Sequence, residues 1–290
     1  MKKTLNSLLL LALVVAFASC DKKDKPELGA YPTDANSPTG PLKFYVAFDG
    51  TSTDALRNAV DSIRATFPSD NSFTSGTAGI TGSGITGVTE KFIKYPSFNT
   101  WAASSSFTIS LWYKQNGQTK NNTGGNGPQY FISMRAKDGY HWSNAVGFLF
   151  IEGNNTACAV KSMFVSPSDP NNPDSPASDA WFTWEGGNSI AGLCDDQWHH
   201  LALVYDESNS SMKLYIDGIQ NPNVPTWGSH GALRLATTKI TEYRVGAGPS
   251  NSFASDDWLA ASFKGGIDQL RMYGVVLTPA EIQALYDTKK

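Results

Sequence analysis

The chain has 290 residues, a formal net charge of −3 and 17% charged residues. That balance provides no basic surface for nucleic acid. Eight Trp, eleven Tyr and 26 Gly suit an all-β secreted chain with many turns.

The N-terminus is basic at Met1-Lys2-Lys3, then apolar from Leu8 to Phe17. Such a run is shorter than the roughly 20 residues that span a bilayer. With small residues at its end it reads as a secretory signal over residues 1–19. "FASC" resembles the lipobox of bacterial lipoproteins, which makes Cys20 the lipidated N-terminus; Phe17 stands where Leu is usual. The expected location is a membrane-anchored lipoprotein at the cell surface or in the periplasm. "DKKDKPELGAYPTDANSPTGP" follows, punctuated by Pro26, Pro32, Pro38 and Pro41, so residues 20–41 read as an extended, solvated tether.

Residues 42–290 read as one domain. "LKFYVAFDG" alternates and stops at Asp49-Gly50, a strand and turn. Leu56, Val60, Ile63 and Phe67 after "TSTD" have the spacing of a short helix. "SSFTISLWYKQ", "QYFISMRA" and "VGFLFIEGN" are strands. The prolines of Pro167–Asp179 predict a long loop. "WHHLALVYD", "ESNSS" and "MKLYIDG" form a hairpin closing in Asp217-Gly218. Neighbouring strand residues point to opposite faces, so His199 and His200 diverge and cannot share a metal. Outside the cytoplasm Cys158 and Cys194 are either a disulfide or two free buried thiols. Thr278-Pro279-Ala280-Glu281 is a capping box with Pro at the first helical position; Ile282, Leu285 and Tyr286 give that helix an apolar stripe.

"WHHLALVYDESNSSMKLYIDG" resembles the core hairpin of laminin-G-like, concanavalin A-like jelly rolls. "FYVAFDG", "FTISLWYK" and "FKGGIDQLRMYGVVLTPAEIQALY" resemble the first strand, the Phe-Thr-Ile-Ser strand and the closing strand with its helix, in the expected order. The resemblance implies two packed antiparallel sheets of about six or seven strands each. It implies adjacent N- and C-terminal strands and a short C-terminal helix. It also implies a structural Ca²⁺ at Asp49 and Asp268, unless Asp268 pairs with Arg271 or accepts backbone hydrogen bonds.

Sandwiches of this kind include lectins, adhesion modules and glycoside hydrolases, and fold does not decide among them. Retaining hydrolysis needs two carboxylates about 5–5.5 Å apart. The Glu-x-Asp-x-x-Glu strand of β-glucan hydrolases is absent, as are His-Glu-x-x-His and a serine elbow. Sugar binding needs aromatic platforms with polar groups beside them. "KDGYHWSN" offers Asp138, Tyr140, His141, Trp142 and Asn144, and Trp142 is the first choice. "DAWFTWEGGN" offers Trp181, Trp184 and Glu185; "VPTWGSHG" offers Trp227 and His230; "ASDDWLA" offers Asp256, Asp257 and Trp258. Trp184 and Trp258 are second choices. The expected function is a lipid-anchored carbohydrate-binding protein without catalysis, its partners a glycan or glycoconjugate and a membrane. The alternatives are a surface adhesion or assembly protein that binds another protein, and a divergent glycoside hydrolase.

Overall fold

The computed structural model describes residues 40–49, 56, 58–60, 74–96, 104–115, 127–169, 171–250 and 257–289. The leader 1–19, Cys20 and nearly all of the tether lie outside them, as do Asp256 and most of the expected Leu56–Phe67 helix. Everything described falls within one compact unit, Asn36–Lys290.

The strands in chain order are β1 Leu42–Val46, β2 Thr74–Ala78, β3 Ser83–Gly87, β4 Ile93–Pro96, β5 Phe107–Lys114, β6 Gln129–Ala136 and β7 Ala145–Asn154. β8 Ala157–Asp169, β9 Asn172–Trp184, β10 Trp198–Asp206, β11 Ser211–Ile216, β12 Ile219–Gln220, β13 Ile240–Val245 and β14 Gly265–Tyr273 follow, before the helix α1 Pro279–Thr288. One sheet runs β12-β11-β10-β5-β14-β3-β2, with β1 also on β14; the other runs β4-β13-β6-β7-β8-β9. Every pairing is antiparallel. This is the two-sheet jelly-roll sandwich that the family resemblance implies, with its first and last strands paired and with eight and six strands in the two sheets.

The period of two sorts each strand. From β7 and β8, Leu149, Ile151, Val160 and Phe164 enter the main core, where they meet Ile109, Leu111, Leu203 and Leu214 of the other sheet. β5 and β10 are buried on both faces because α1 covers the outside of their sheet: Ile282 and Leu285 pack with Leu277 on Ala202, Val204 and Tyr215, and Tyr286 stacks on Trp112 at 5.5 Å. The helix starts where expected, with both halves of the Thr278–Glu281 capping box formed.

One expectation is overturned. Most of Pro167–Asp179 is not a loop: β8 and β9 continue through it as a long hairpin, paired down to Asp169 and Asn172. β9 is the outermost strand, and β8 beyond Phe164 has left its β7 partner. Prolines therefore fall where a missing N–H costs no ladder bond between central strands.

Candidate functional site

Alternation leaves a second apolar set on the outside of the six-stranded sheet. Phe148 of β7 lies opposite Met163 of β8, which lies opposite Trp181 of β9; Phe150 pairs with Tyr130 of β6. Phe148, Phe150, Met163 and Tyr130 are buried although they face away from the main core. Two further segments cover them. The β6–β7 turn carries Trp142. A hydrogen-bonded ribbon formed by 246–250 and 257–263 carries Trp258, through Phe263 N–H to Gly246 O (2.8 Å), Gly248 N–H to Ala261 O (2.9 Å) and Ser250 N–H to Leu259 O (3.1 Å).

Three tryptophans from three segments thus meet. Trp258 is 6.1 Å from Trp142 and 5.9 Å from Trp181, ring centre to ring centre, and rests on Phe148 at 5.9 Å. Trp142 is 57% exposed and Trp181 38%. Scattered exposed hydrophobics are ordinary, but adjoining tryptophans from separate segments form a patch.

The supports are specific. The β6–β7 turn closes through Tyr140 N–H to Lys137 O and Asn144 N–H to His141 O, with Gly139 N–H on the Asn144 side chain. Asn144 takes a left-handed backbone, φ 52°, which Asn tolerates better than most residues. Under the ribbon, a Cβ on Gly248 would lie 2.2 Å from Leu259 O and 2.9 Å from the Tyr130 ring, so glycine permits the close approach. Arg244 holds the ribbon's start, donating to Gly248 O (2.9 Å) and Ser250 O (2.6 Å). Asp257 accepts Leu259 N–H at the turn that presents Trp258.

Polar groups border the patch. His141 Nε2 lies 3.9 Å from Asp179. Burial lowers the His141 imidazole from its ordinary range, and Asp179 opposes that shift. Lys161 Nζ is 2.6 Å from both Glu152 and Glu185. On the same face a groove of about 340 Å³ opens, lined by Lys137, Asp138, Gly139, Tyr140, Asp174, Ser175, Ala177 and Lys239. Tyr140 and Ala177 touch the aromatic cluster from its wall. Asp138 pairs with Arg135 and Lys239 with Asp174.

The other candidates lie elsewhere. Trp184 is not a platform: it is fully buried and donates its Nε1–H to Asn223 O at 2.8 Å. Trp227 is half-buried on the core side of β9, near Phe182 (6.4 Å) and stacked on His230 at 3.7 Å. His200 is buried, 2.9 Å from Ser110 Oγ; His199 turns the other way, between Asp217 (2.8 Å) and Asp195 (3.1 Å). Its bond to Asp217 raises the His199 imidazole. Both are hairpin residues. Cys158 and Cys194 are buried thiols with sulfurs 3.7 Å apart.

Asp49 and Asp268 converge on the turn between β2 and β3. Asp268 accepts from Ile80 N–H and Gln269 N–H, both at 2.8 Å, and Asp49 from Ser83 N–H at 2.9 Å. Burial pushes the Asp268 carboxyl up to about 7, and the nearby Asp49 charge adds to the rise. Hard oxygens beside a buried carboxylate fit calcium in chemistry, but calcium takes about six to eight oxygens. No group of three His, Cys, Asp or Glu suited to a metal occurs among the described residues, so the remainder would have to be backbone carbonyls and water.

Trp181, which the sequence offers but does not choose, is the exposed tryptophan of β9 and lies beside Trp258. Phe182 and Trp184 share one strand face, which leaves Trp181 on the other. Reading the preceding segment as loop hid that alternation.

A comparison with curated proteins finds no match. Among solved structures, domain 4 of AbnA, a GH43 extracellular arabinanase from Geobacillus stearothermophilus in complex with arabinotriose, is 20% identical with a TM-score of 0.53, over 84% of this chain and 98% of that one. The binding domain of Paraclostridial Mosquitocidal Protein 1 is 12% identical with a TM-score of 0.54, over 86% of this chain. Trypanosoma rangeli sialidase is 14% identical with a TM-score of 0.52, over 87% of this chain. The alignments span 52% of the toxin chain and 33% of the sialidase, so the likeness is one of fold. A family model for laminin-G-like domains of the concanavalin A-like lectin/glucanase superfamily matches residues 88–283, well over half of the sequence, and the chain belongs to that superfamily.

Proposed function

We propose that this protein binds a glycan on the outer face of the six-stranded sheet, without catalysis, while held at a membrane by lipid on Cys20. The observation that carries the reading is the convergence of Trp142, Trp181 and Trp258 into one partly exposed surface. Indole faces take the apolar side of a sugar ring, and the polar groups at the border take its hydroxyls. The neighbour with arabinotriose bound lends support, since it shares the sandwich over nearly all its length. Beside the platform, Glu152 and Glu185 face each other across Lys161. Lys161 ties both carboxylates to one ammonium, and the sequence lacks the Glu-x-Asp-x-x-Glu strand of β-glucan hydrolases, which favours binding over hydrolysis. A structural calcium at Asp49 and Asp268, on the other sheet, would have to compete with the backbone N–H groups whose hydrogen bonds these carboxylates already accept.

A glycan array probed with the protein, with and without calcium, tests this. Trp142→Ala and Trp181→Ala are each expected to weaken binding by about 1–3 kcal/mol. Capture of a surface protein through the same patch, with no glycan bound, would move the adhesion reading ahead. Turnover of a bound glycan that disappears in Glu185→Gln would restore the hydrolase.

A further inference from the structure

Resting on that glycan reading, we infer the class of ligand: a single, soluble, uncharged oligosaccharide chain of about three to four residues, lying along β9 from the groove to the tryptophans. Three observations point there.

The first is the platform's shape. Trp142 and Trp258 are inclined at 50°, and Trp181 and Trp258 at 46°. A flat crystalline polysaccharide would reach only one such ring at a time. A free chain, whose successive residues rotate about their linkages, can stack on each in turn.

The second is continuity. Ala177 on the groove wall, Asp179 and Trp181 alternate along β9 and share its outer face. Four residues at about 3.3 Å each put Trp181 about 13 Å from Ala177, room for two to three linked sugar rings of about 5 Å. The groove adds volume at one end, near the lower bound of small-ligand sites (about 300–1,000 Å³). Asp179 and His141 lie between the groove and the platform, placed to hydrogen-bond hydroxyls in the middle of the chain.

The third is charge. In and beside the groove, the cations Arg135, Lys137 and Lys239 are countered by the carboxylates Asp138, Asp174 and Asp179. No positive excess is left for a polyanion, whereas carboxylates and ammonium groups side by side suit hydroxyls, which both donate and accept.

Calorimetry on the full chain tests this with neutral linear arabino-, xylo-, gluco- and manno-oligosaccharides of one to six units. Oligogalacturonides serve as charged counterparts, and cellulose and chitin particles as surfaces. The entropy of immobilising a ligand is largely met by the first contacts, so further ones appear as affinity. For one neutral series, affinity is expected to rise about tenfold or more from disaccharide to tetrasaccharide and then level off. Ala177→Arg, which fills the groove, should reduce tetrasaccharide affinity to that of the disaccharide and leave the disaccharide unchanged. Lys137→Ala, at an exposed position on the groove wall, should weaken only the longer ligands. Binding with no gain beyond one sugar, stronger binding of oligogalacturonides, or retention on particles alone would overturn the trough and leave the glycan reading standing. Absence of binding across both this panel and the array would remove the glycan reading, and the trough with it.

Discussion

Trp181 and Trp184 lie three residues apart on β9 and point opposite ways, one at 38% exposure and one fully buried. The same substitution should therefore have opposite consequences. Trp184→Ala leaves a large cavity and a lost Nε1–H bond, and is expected to cost about 3–5 kcal/mol of stability. Trp181→Ala should cost about 1 kcal/mol or less and fall instead on ligand affinity. Denaturant melts and binding curves on the two variants check this, and comparable melts would contradict the assignment of faces. His200 provides a pH test. Burial lowers its imidazole to about 4, from an ordinary 6.5. As pH falls through that window the unfolded chain gains a proton that the folded one refuses. The stability present above pH 6.5 therefore declines toward pH 4. His200→Gln lacks the group. The wild-type advantage over this variant is expected to shrink from pH 7 to pH 4, by roughly 2–3 kcal/mol at most. A difference independent of pH would show that the ring charges freely in the fold.

At the scale of elements, the ribbon of 246–250 and 257–263 decides whether the platform exists. Gly248 packs against the Leu259 carbonyl and the Tyr130 ring. Gly248→Ala is expected to lower stability by about 1–3 kcal/mol through overpacking, and to shift tryptophan fluorescence as Trp258 lifts from Phe148. An unchanged spectrum would place Trp258 under some other control. The segment between β9 and β10 is tied to β8 by Ile190, which exchanges backbone hydrogen bonds with Cys158 at 3.0 and 2.8 Å, and by the contact of Cys158 with Cys194. Only a small sulfur shift separates the thiols from a bond of about 2.05 Å. We propose that they bridge in an oxidising compartment, where closing 36 residues is worth about 3–4 kcal/mol on the chain-entropy model. Reduction should then lower Tm by several degrees. Two titratable thiols in unreduced, unfolded protein would rule the bridge out.

For the whole molecule, the two sheets are finished differently on the outside. α1 seals one, leaving Ala202, Val204 and Tyr215 dry. The other carries the aromatic cluster under a short turn and a ribbon, with indole edges in solvent. The proposed membrane attachment comes from residues 1–41, and among the described residues no helix is long and apolar enough to cross a membrane. Cys20→Ala is expected to move the protein from the membrane fraction to the soluble fraction, since stable anchoring takes more than one acyl chain or a second signal. Fractionation of cells that express the variant checks this, and retention at the membrane would end the lipoprotein reading.

The strands were legible in the sequence, because burial of alternate residues is a local pattern: "WHHLALVYD" and "MKLYIDG" specify both faces of their hairpin, while the packing of two sheets came from the family resemblance. The sequence by itself determined the helix start, because a capping box is closed within four residues. It named the loops of Trp142 and Trp258, because a large aromatic beside Asp, Asn and Gly stands out in composition. It misjudged Pro167–Asp179, because proline is barred from central strands and admitted at an edge, and strand order is not a local property. That Trp181 joins Trp142 and Trp258 while Trp184 and Trp227 do not is a matter of strand order and packing. Segments 142, 181 and 258 are far apart in the chain, and their meeting depends on β9 lying at the sheet edge, on the β6–β7 turn, and on a glycine thin enough for the ribbon to lie flat.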